Sequence, residues 1–356
     1  MYYINFAKYK NILITGGAGF IGGCMVNRLI KNENLNIFNL DKLGYASDLL
    51  RINNTLKILG EESLKRYKYL NVDLLNKKET NEAIEFSSPD IIIHMAAESH
   101  VDNSILTPQP FVSNNILGTL NLLEATRIFL SKNKSKRINF KFIQVSTDEV
   151  FGSLNDKSFF SEVSRYDPRS PYSASKASCD HLAKAWFHTF EIPIIISNCS
   201  NNFGPWQFPE KLIPVVISKA IKNENIPLYG DGKNVRDWLF VEDHINALIK
   251  IINDGQIGET YCIGGDCEKT NKSLVLEICK KINIILDNKV NYSELITLVE
   301  DRKGHDKRYA IDNSRIKKDL GWEPNYNFSD GLDITIRWYL DNQNWLFNNS
   351  IKNDIG

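Results

Sequence analysis

Long apolar runs are missing from this 356-residue chain. Stretches such as Ile91-Ile92-Ile93 and Ile194-Ile195-Ile196 are far shorter than the ~20 residues that a membrane span needs. Charge of one sign is missing too, because 43 Lys and Arg offset 43 Asp and Glu. A zero balance argues against binding nucleic acid or an anionic membrane, which needs clustered Lys and Arg. It leaves room for a small anionic ligand, since two local basic groups suffice to hold a diphosphate. Cysteine is sparse and scattered, at 24, 179, 199, 262, 267 and 279, without any C-x-x-C. The nearest pair, Cys262 and Cys267, brackets what reads as a strand end and a turn. Neither a zinc site nor a disulfide framework is expected, and reduced thiols suit a cytoplasmic protein. The six histidines (94, 100, 181, 188, 244 and 305) form no metal set. His94 reads as a core or strand-edge histidine. Residues 1–10 lack an apolar core followed by a small-residue cleavage site, so no signal peptide is expected.

What is present is an ordinary folded composition, 42% hydrophobic and 24% charged, with length for about two domains. Through the first half, short apolar runs alternate with amphipathic stretches, the pattern of βαβ units around a parallel sheet. Strands are predicted at 11–15, 35–40, 67–72, 90–94, 139–146 and 192–198. Helices are predicted at 19–31, 111–130 and 173–190. After Asn202 the texture changes, and Gly204-Pro205, Pro209, Pro214, Pro227 and Gly230-Asp231-Gly232 punctuate short segments. Helical periodicity returns at 241–252 and 273–284, with a short strand at 261–263 between them. The polar last ten residues are expected to fray. The division this suggests is a first domain over 1–202, to which 238–263 returns. A smaller lobe over 203–237 and 264–356 would cover its ligand edge.

Thr15-Gly16-Gly17-Ala18-Gly19-Phe20-Ile21-Gly22 follows the first strand and opens the first helix. Glycines 16, 19 and 22 permit a tight turn, close backbone approach to a pyrophosphate, and close helix–strand packing. The positive helix end favours the phosphate charge. Asp41 ends the second strand 19 residues after Gly22, where a carboxylate accepts hydrogen bonds from a ribose and repels a 2′-phosphate. NAD is therefore the expected cofactor. Asp73 is a candidate for the adenine side or for a cap. Ala96 and Ala97, after the fourth strand, give the dinucleotide room to cross the sheet edge. The expected fold is α/β: a Rossmann-type doubly wound parallel sheet with a smaller, interleaved C-terminal α/β lobe.

Tyr172 and Lys176 sit four apart, on one face of the predicted helix. A phenol with pKa near 10 is a poor base, but a neighbouring ammonium and an oxidised nicotinamide both favour its ionised form. Ser146-Thr147-Asp148-Glu149 closes the fifth strand, whose C-terminal end faces the ligand crevice of a doubly wound sheet. Thr147 can donate a hydrogen bond to a sugar oxygen. Repulsion between Asp148 and Glu149 would separate their pKa values, leaving one carboxyl as acid and the other as base.

With these residues in place the chain resembles the extended short-chain dehydrogenase/reductases. Within them it is most similar to nucleotide-sugar 4,6-dehydratases, nearest to those that act on dTDP-glucose. The resemblance runs from about residue 10 to residue 335. It rests on TGGAGFIG (15–22), DKLGYAS (41–47), MAAESHVD (95–102), STDEVFG (146–152) and PYSASKA (171–177). It continues in NCSNNFGPWQFPEKLIP (198–214), YGDGKNVRDWLFVEDH (229–244) and DRKGHDKRYAID (301–312). The Asp-Glu pair after threonine distinguishes the dehydratases from 4-epimerases. The resemblance implies that Tyr172 deprotonates the C4 hydroxyl while hydride passes to NAD, with Thr147 and Lys176 assisting. Glu149 then removes the C5 proton and Asp148 protonates the departing C6 hydroxyl. Hydride returns to C6, giving a 4-keto-6-deoxy sugar. On the cofactor side it implies Gly16, Gly19, Phe20, Ile21, Gly22, Asp41, Lys42, Asp73, Leu74, Ala96, Ala97, Ser99, Asn114, Tyr172, Lys176 and Asn202. On the substrate side it implies Ser99, His100, Asn201, Lys211, Leu212, Arg236, Asn271, Asp301, Arg302 and His305, with Arg236 facing the diphosphate. A UDP-sugar 4,6-dehydratase, and a 4-epimerase or decarboxylase on the same scaffold, are the alternatives. A homodimer through the helices at 111–130 and 173–190 is also implied. The chain departs from the family pattern at Asn103, Asn114, Phe151, Trp206 and Lys303, and in a short loop between Gly152 and Pro171.

Overall fold

The computed structural model describes residues 3–5, 8–155, 157–287 and 290–350. Its strands are β1 (Asn11–Thr15), β2 (Asn36–Leu40), β3 (Tyr67–Leu70), β4 (Ile91–His94), β5 (Lys141–Thr147) and β6 (Ile194–Cys199). They continue as β7 (Asn201–Phe203), β8 (Ile226–Tyr229), β9 (Val235–Phe240), β10 (Thr260–Ile263), β11 (Glu268–Thr270) and β12 (Ile296–Val299). Seven of them form one parallel sheet in the order β10-β6-β5-β4-β1-β2-β3. The apolar runs are continuous because helices cover both faces of the sheet. Alternation then sorts neighbouring residues between two cores. Ile12, Ile14, Ile91, Ile93, Ile143 and Ile195 pack on one side with Met25, Leu248 and Trp322. Leu13, Ile92, Phe142, Ile194 and Ile196 pack on the other with Leu122, Phe129 and Ala183.

Strand order reverses between β1 and β4, so a crevice opens at the carboxyl ends of these two strands. The register pairs Thr15 with His94 and Thr147 with Cys199, which sets the strand ends along one edge. Beside that edge lie a three-stranded sheet, β11-β9-β7, and a two-stranded one, β12-β8. Their own core contains Phe203, Ile217, Leu274, Ile278, Leu332, Ile336 and Tyr339. Helix Val241–Asp254 and β10 return to the main sheet, where Ile245, Leu248, Ile249, Tyr261 and Ile263 join the first core.

Three expectations need correction. The helix predicted at 111–130 is composite: α-helical over Gln109–Phe111, π-helical over Val112–Leu117, and α-helical again over Gly118–Lys132. The widened turn turns Asn115 into the protein, where it binds Glu98 and Ser175. Residues 347–350 do not fray but belong to helix Gln343–Ser350. Leu346 is buried there, and the Trp345 indole donates to Asp48 at 2.6 Å. The rest of the expected frayed tail, 351–356, lies outside the described residues. Finally, β3 stops at Leu70, so Asp73 sits in the turn beyond it rather than at the strand end.

His94 is a core histidine. It is 1% exposed, with Nδ1 2.7 Å from Thr15 Oγ1 and Nε2 2.9 Å from Thr119 Oγ1. Burial, helped by the Lys176 charge, depresses its pKa to about 3. Between that value and about 6.5 the unfolded chain binds the extra proton, so the contribution is complete above this window and lost as pH falls through it. Relative to a His94→Gln variant, the parent should lose about 1.4 kcal/mol per pH unit below about 6.5. Urea unfolding of both proteins from pH 7 to pH 4 measures the difference.

Candidate active site

Gly16 adopts φ +71°, and a Cβ there would lie 2.7 Å from the Ala96 Cα. A Cβ on Gly22 would lie 2.1 Å from the Gly16 carbonyl oxygen. Both positions therefore require glycine for geometric reasons, and Ala96 must be small. Helix Phe20–Ile30 begins at Gly19 with no side-chain cap and no acidic residue in its first turn. Its leading amides are left for an external anion. Asp41 is buried at the end of β2 and braces the following loop. Its Oδ2 accepts from Ala18 N at 3.0 Å, and its Oδ1 accepts from Leu43 N at 2.8 Å and Ser47 Oγ at 3.2 Å. Oδ2 retains a lone pair toward the cleft. Lys42 Nζ donates to Asn114 Oδ1 at 2.9 Å and lies 3.6 Å from Asp73. Asn114 in turn donates to Glu98 at 3.0 Å. Asp73 Oδ1 accepts from Leu75 N, while Asn76 caps the next helix, so Asp73 is no cap.

A cleft of about 330 Å³ joins these groups to the ends of β5 and β6. Every cofactor-side and catalytic residue expected from the sequence lines it, as do Ser99, Asn201 and Lys211. The glycine loop, the uncapped helix end and the Asp41 carboxylate fit NAD.

Strand β5 ends at Thr147, and a 3-10 turn, Asp148–Phe151, follows at once. Thr147 Oγ1 donates to Asp148 Oδ1 and accepts from Glu149 N, each at 3.3 Å. Asp148 is buried and its Oδ2 has no partner. Burial, then the charges of Glu149 and Asp237, hold its carboxyl well above the usual carboxylate range. Burial raises Glu149 as well, but less than Asp148, because Lys211, Arg236 and Arg302 offset part of the burial. Two neighbouring carboxyls thus meet different surroundings, a protonating one at Asp148 and a cationic one at Glu149.

Helix Pro171–Phe190 starts with Pro171 and a reciprocal Ser170–Ser173 cap, which fixes the turn carrying Tyr172. The expectation that Lys176 lowers the Tyr172 pKa does not hold for the chain by itself. Burial, then the Glu149 charge, pushes the phenol well up, and the hydrogen bond with Thr147 opposes this. Lys176 Nζ is engaged by the Val145 carbonyl at 2.8 Å.

The remaining substrate-side residues lie outside the cleft lining. Arg236 sits on β9 and is 7% exposed. It donates to the carbonyls of Val235 and Asp306, and its guanidinium lies 4.2 Å from the Tyr309 ring centroid. A surface ion pair is thereby excluded. Asn271 opens helix Asn271–Leu286, but Thr270 is the cap, and the buried Asn271 Oδ1 has no partner. Arg302 pairs with Asp102 at 2.5 Å, and His305 Nδ1 lies 2.6 Å from Asp301 Oδ1. His100 caps helix Val101–Leu106 by accepting from Asn103 N at 3.2 Å. Lys211 Nζ donates to the Ser99 carbonyl at 2.7 Å, and Leu212 opens the helix that follows. The departing residues are structural in part. Phe151 stacks on Phe160, and Trp206, at φ +71°, packs against Trp338 and Trp345.

Sequence reasoning missed Asn115, Tyr45 and Glu210. Asn115 Nδ2 donates to Ser175 Oγ at 2.8 Å and to the Glu98 carbonyl at 3.1 Å, tying the β4 loop to the tyrosine helix. Only the π-helical turn reveals it. Tyr45 OH donates to Glu210 at 2.7 Å across the cleft mouth. Both fall inside quoted motifs, but nothing in one sequence pairs them.

Fold and cleft together define a dinucleotide-dependent enzyme of the doubly wound type. The chain belongs to the GDP-mannose 4,6 dehydratase family of extended short-chain dehydrogenase/reductases, whose family model matches residues 13–335. It is 47% identical over 340 residues to the dTDP-glucose 4,6-dehydratase of Neisseria gonorrhoeae, covering 94% of this chain and 96% of that one. A crystal structure of dTDP-glucose 4,6-dehydratase from Bacillus anthracis in complex with NAD is similar, with TM-score 0.80 and 39% identity. That likeness covers 94% of this chain and 98% of that one. The Streptomyces venezuelae enzyme of the same name, also with NAD bound, gives TM-score 0.83 and 36% identity at the same coverage.

Proposed function

We propose that the protein catalyses the NAD-dependent dehydration of dTDP-glucose to its 4-keto-6-deoxy product. The observation that carries this reading is the Asp148–Glu149 pair, held in contrasting surroundings beside Tyr172. When bound, NAD supplies the hydride acceptor and donor and, oxidised, a positive charge that favours the ionised phenol.

Tyr172 takes the C4 hydroxyl proton while Thr147 hydrogen-bonds the same oxygen. The resulting 4-ketone acidifies the C5 position, and Glu149 removes that proton. Asp148 gives its proton to the C6 hydroxyl, which leaves as water. Glu149 returns a proton to C5 as C6 becomes a methyl group. Lys176 is placed to hold the nicotinamide ribose. Lys211, Arg236 and Arg302 offer the cationic side of the site to the diphosphate, for which Arg236 is suited by its planar fork. Ser99, His100, Asn201, Leu212, Asn271, Asp301 and His305 complete the substrate side. Gly16, Gly19, Phe20, Ile21, Gly22, Asp41, Lys42, Asp73, Leu74, Ala96, Ala97, Asn114 and Asn202 hold the cofactor.

Residues 1–202 with 238–263 serve as the cofactor domain and 203–237 with 264–356 as the substrate lobe, except that Ile316, Leu320 and Trp322 pack into the core of the main sheet. The working unit is a homodimer joined through helices Gly118–Lys132 and Pro171–Phe190. Leu117 and Phe190, exposed at their ends, support it. A cytoplasmic location suits the six free thiols and the nucleotide ligands.

Incubation with a panel of nucleotide-hexoses tests the substrate. dTDP-glucose should give a 4-keto-6-deoxy product and lose one water by mass. Turnover of UDP-glucose alone would overturn the thymidine assignment.

A further inference from the structure

A carboxylate that the proposed chemistry does not use lies one helical turn beyond Lys176. Asp180 is fully buried, yet its Oδ2 accepts three hydrogen bonds. They come from Ser146 Oγ at 2.7 Å, Tyr166 OH at 2.9 Å and Asn198 Nδ2 at 3.3 Å. The donors belong to β5, to the loop ahead of Tyr172, and to β6. Asn198 Nδ2 also donates to the Thr147 carbonyl at 3.1 Å, which reaches the peptide that presents Asp148 and Glu149. Tyr166 packs edge-on against Phe151, at the end of the same 3-10 turn. One carboxylate thus gathers the ends of two strands, the loop between them and the tyrosine helix.

Burial holds the Asp180 carboxyl above its usual range, and Lys176, one turn earlier on the same helix, offsets this in part together with the three donors.

We propose that Asp180 is a positioning residue. Through the three hydrogen bonds on its Oδ2 it pins the strand end carrying Thr147, Asp148 and Glu149. The proposal rests on the dehydratase reading for its catalytic consequence.

Asp180→Ala removes the shared acceptor. Asp180→Asn keeps it, because the amide oxygen can take the same three donors and the NH2 takes the place of Oδ1, which has no partner. Steady-state kinetics with dTDP-glucose, NAD content after denaturation and thermal unfolding are measured on the parent and both variants. Asp180→Ala should lower kcat by about 10²-fold, the cost of an ångström-scale misplacement, with KM and NAD content near the parental values. Asp180→Asn should recover most of that loss. An Asp180→Ala protein that folds and turns over like the parent, or an Asp180→Asn protein as impaired as Asp180→Ala, would overturn the proposal. A parent that turns over no sugar nucleotide would overturn the dehydratase reading instead. Should Asp180→Ala fail to fold, Ser146→Ala and Tyr166→Phe each remove one donor to the same oxygen, and parental kcat in both would overturn the proposal.

Discussion

Tyr172→Phe should lower kcat by about 10²–10⁴-fold, the range lost when a positioned acid–base group is removed. The substitution deletes one oxygen from a buried ring that packs edge-on against Phe111 and leaves the packing in place. The glycine loop and the Asp41 brace lie on other elements, so NAD should remain with the purified variant in parental amount. Thermal unfolding should shift little. Turnover by product mass and NAD content after denaturation check both halves. A variant retaining more than a tenth of parental turnover would remove Tyr172 from the role of base.

The second large effect separates the two carboxyls. Asp148→Asn keeps the shape and the Thr147 contact but has no acidic proton to give. Water loss should fall about 10²-fold or more, while exchange of the C5 hydrogen with solvent continues. Glu149→Gln should lose C5 exchange and water loss together, because no base remains to start the elimination. Mass spectrometry of recovered sugar in deuterated water reads the exchange. Loss of exchange in the Asp148 variant with retention in the Glu149 variant would reverse the assignment. pH adds a check. Burial and the Glu149 charge hold Asp148 protonated above the usual range, so elimination should persist where an ordinary aspartate is ionised.

The cofactor half of the site could be read from residue order because it is built from local features. A strand, a glycine turn and a helix are contiguous at 11–30, and the carboxylate ending β2 follows at a spacing set by one βαβ step. The seven strands of the main sheet were equally visible, most of them as apolar runs, with only the half-exposed edge strand β3 at Tyr67–Leu70 not covered on both faces. The other half is assembled from distant segments. Arg236 reaches its shelf through Asp306 and Tyr309, some 70 residues on, and periodicity cannot show such a contact. The π-helical turn at Val112–Leu117 leaves no mark in hydrophobic spacing, so Asn115 stayed hidden. Residues 347–350 looked too polar to order, yet they close helix Gln343–Ser350. That helix is held by one buried leucine and an indole bonded to Asp48, almost 300 residues earlier.

The direction of the Tyr172 shift shows what residue spacing leaves out. Tyrosine and lysine four apart promise a lowered phenol pKa, yet burial and Glu149 dominate in the folded chain. The same Glu149 that is placed to remove the C5 proton therefore opposes the first deprotonation. A positive charge at the phenol must offset it, and oxidised NAD carries one.

The most direct measurement runs the reaction in deuterated water with dTDP-glucose carrying tritium at C4. Dehydration by Tyr172, Glu149 and Asp148 predicts solvent deuterium at C5, tritium transferred to C6 and loss of one water. A product inverted at C4, with C5 unlabelled and its water retained, would contradict the account.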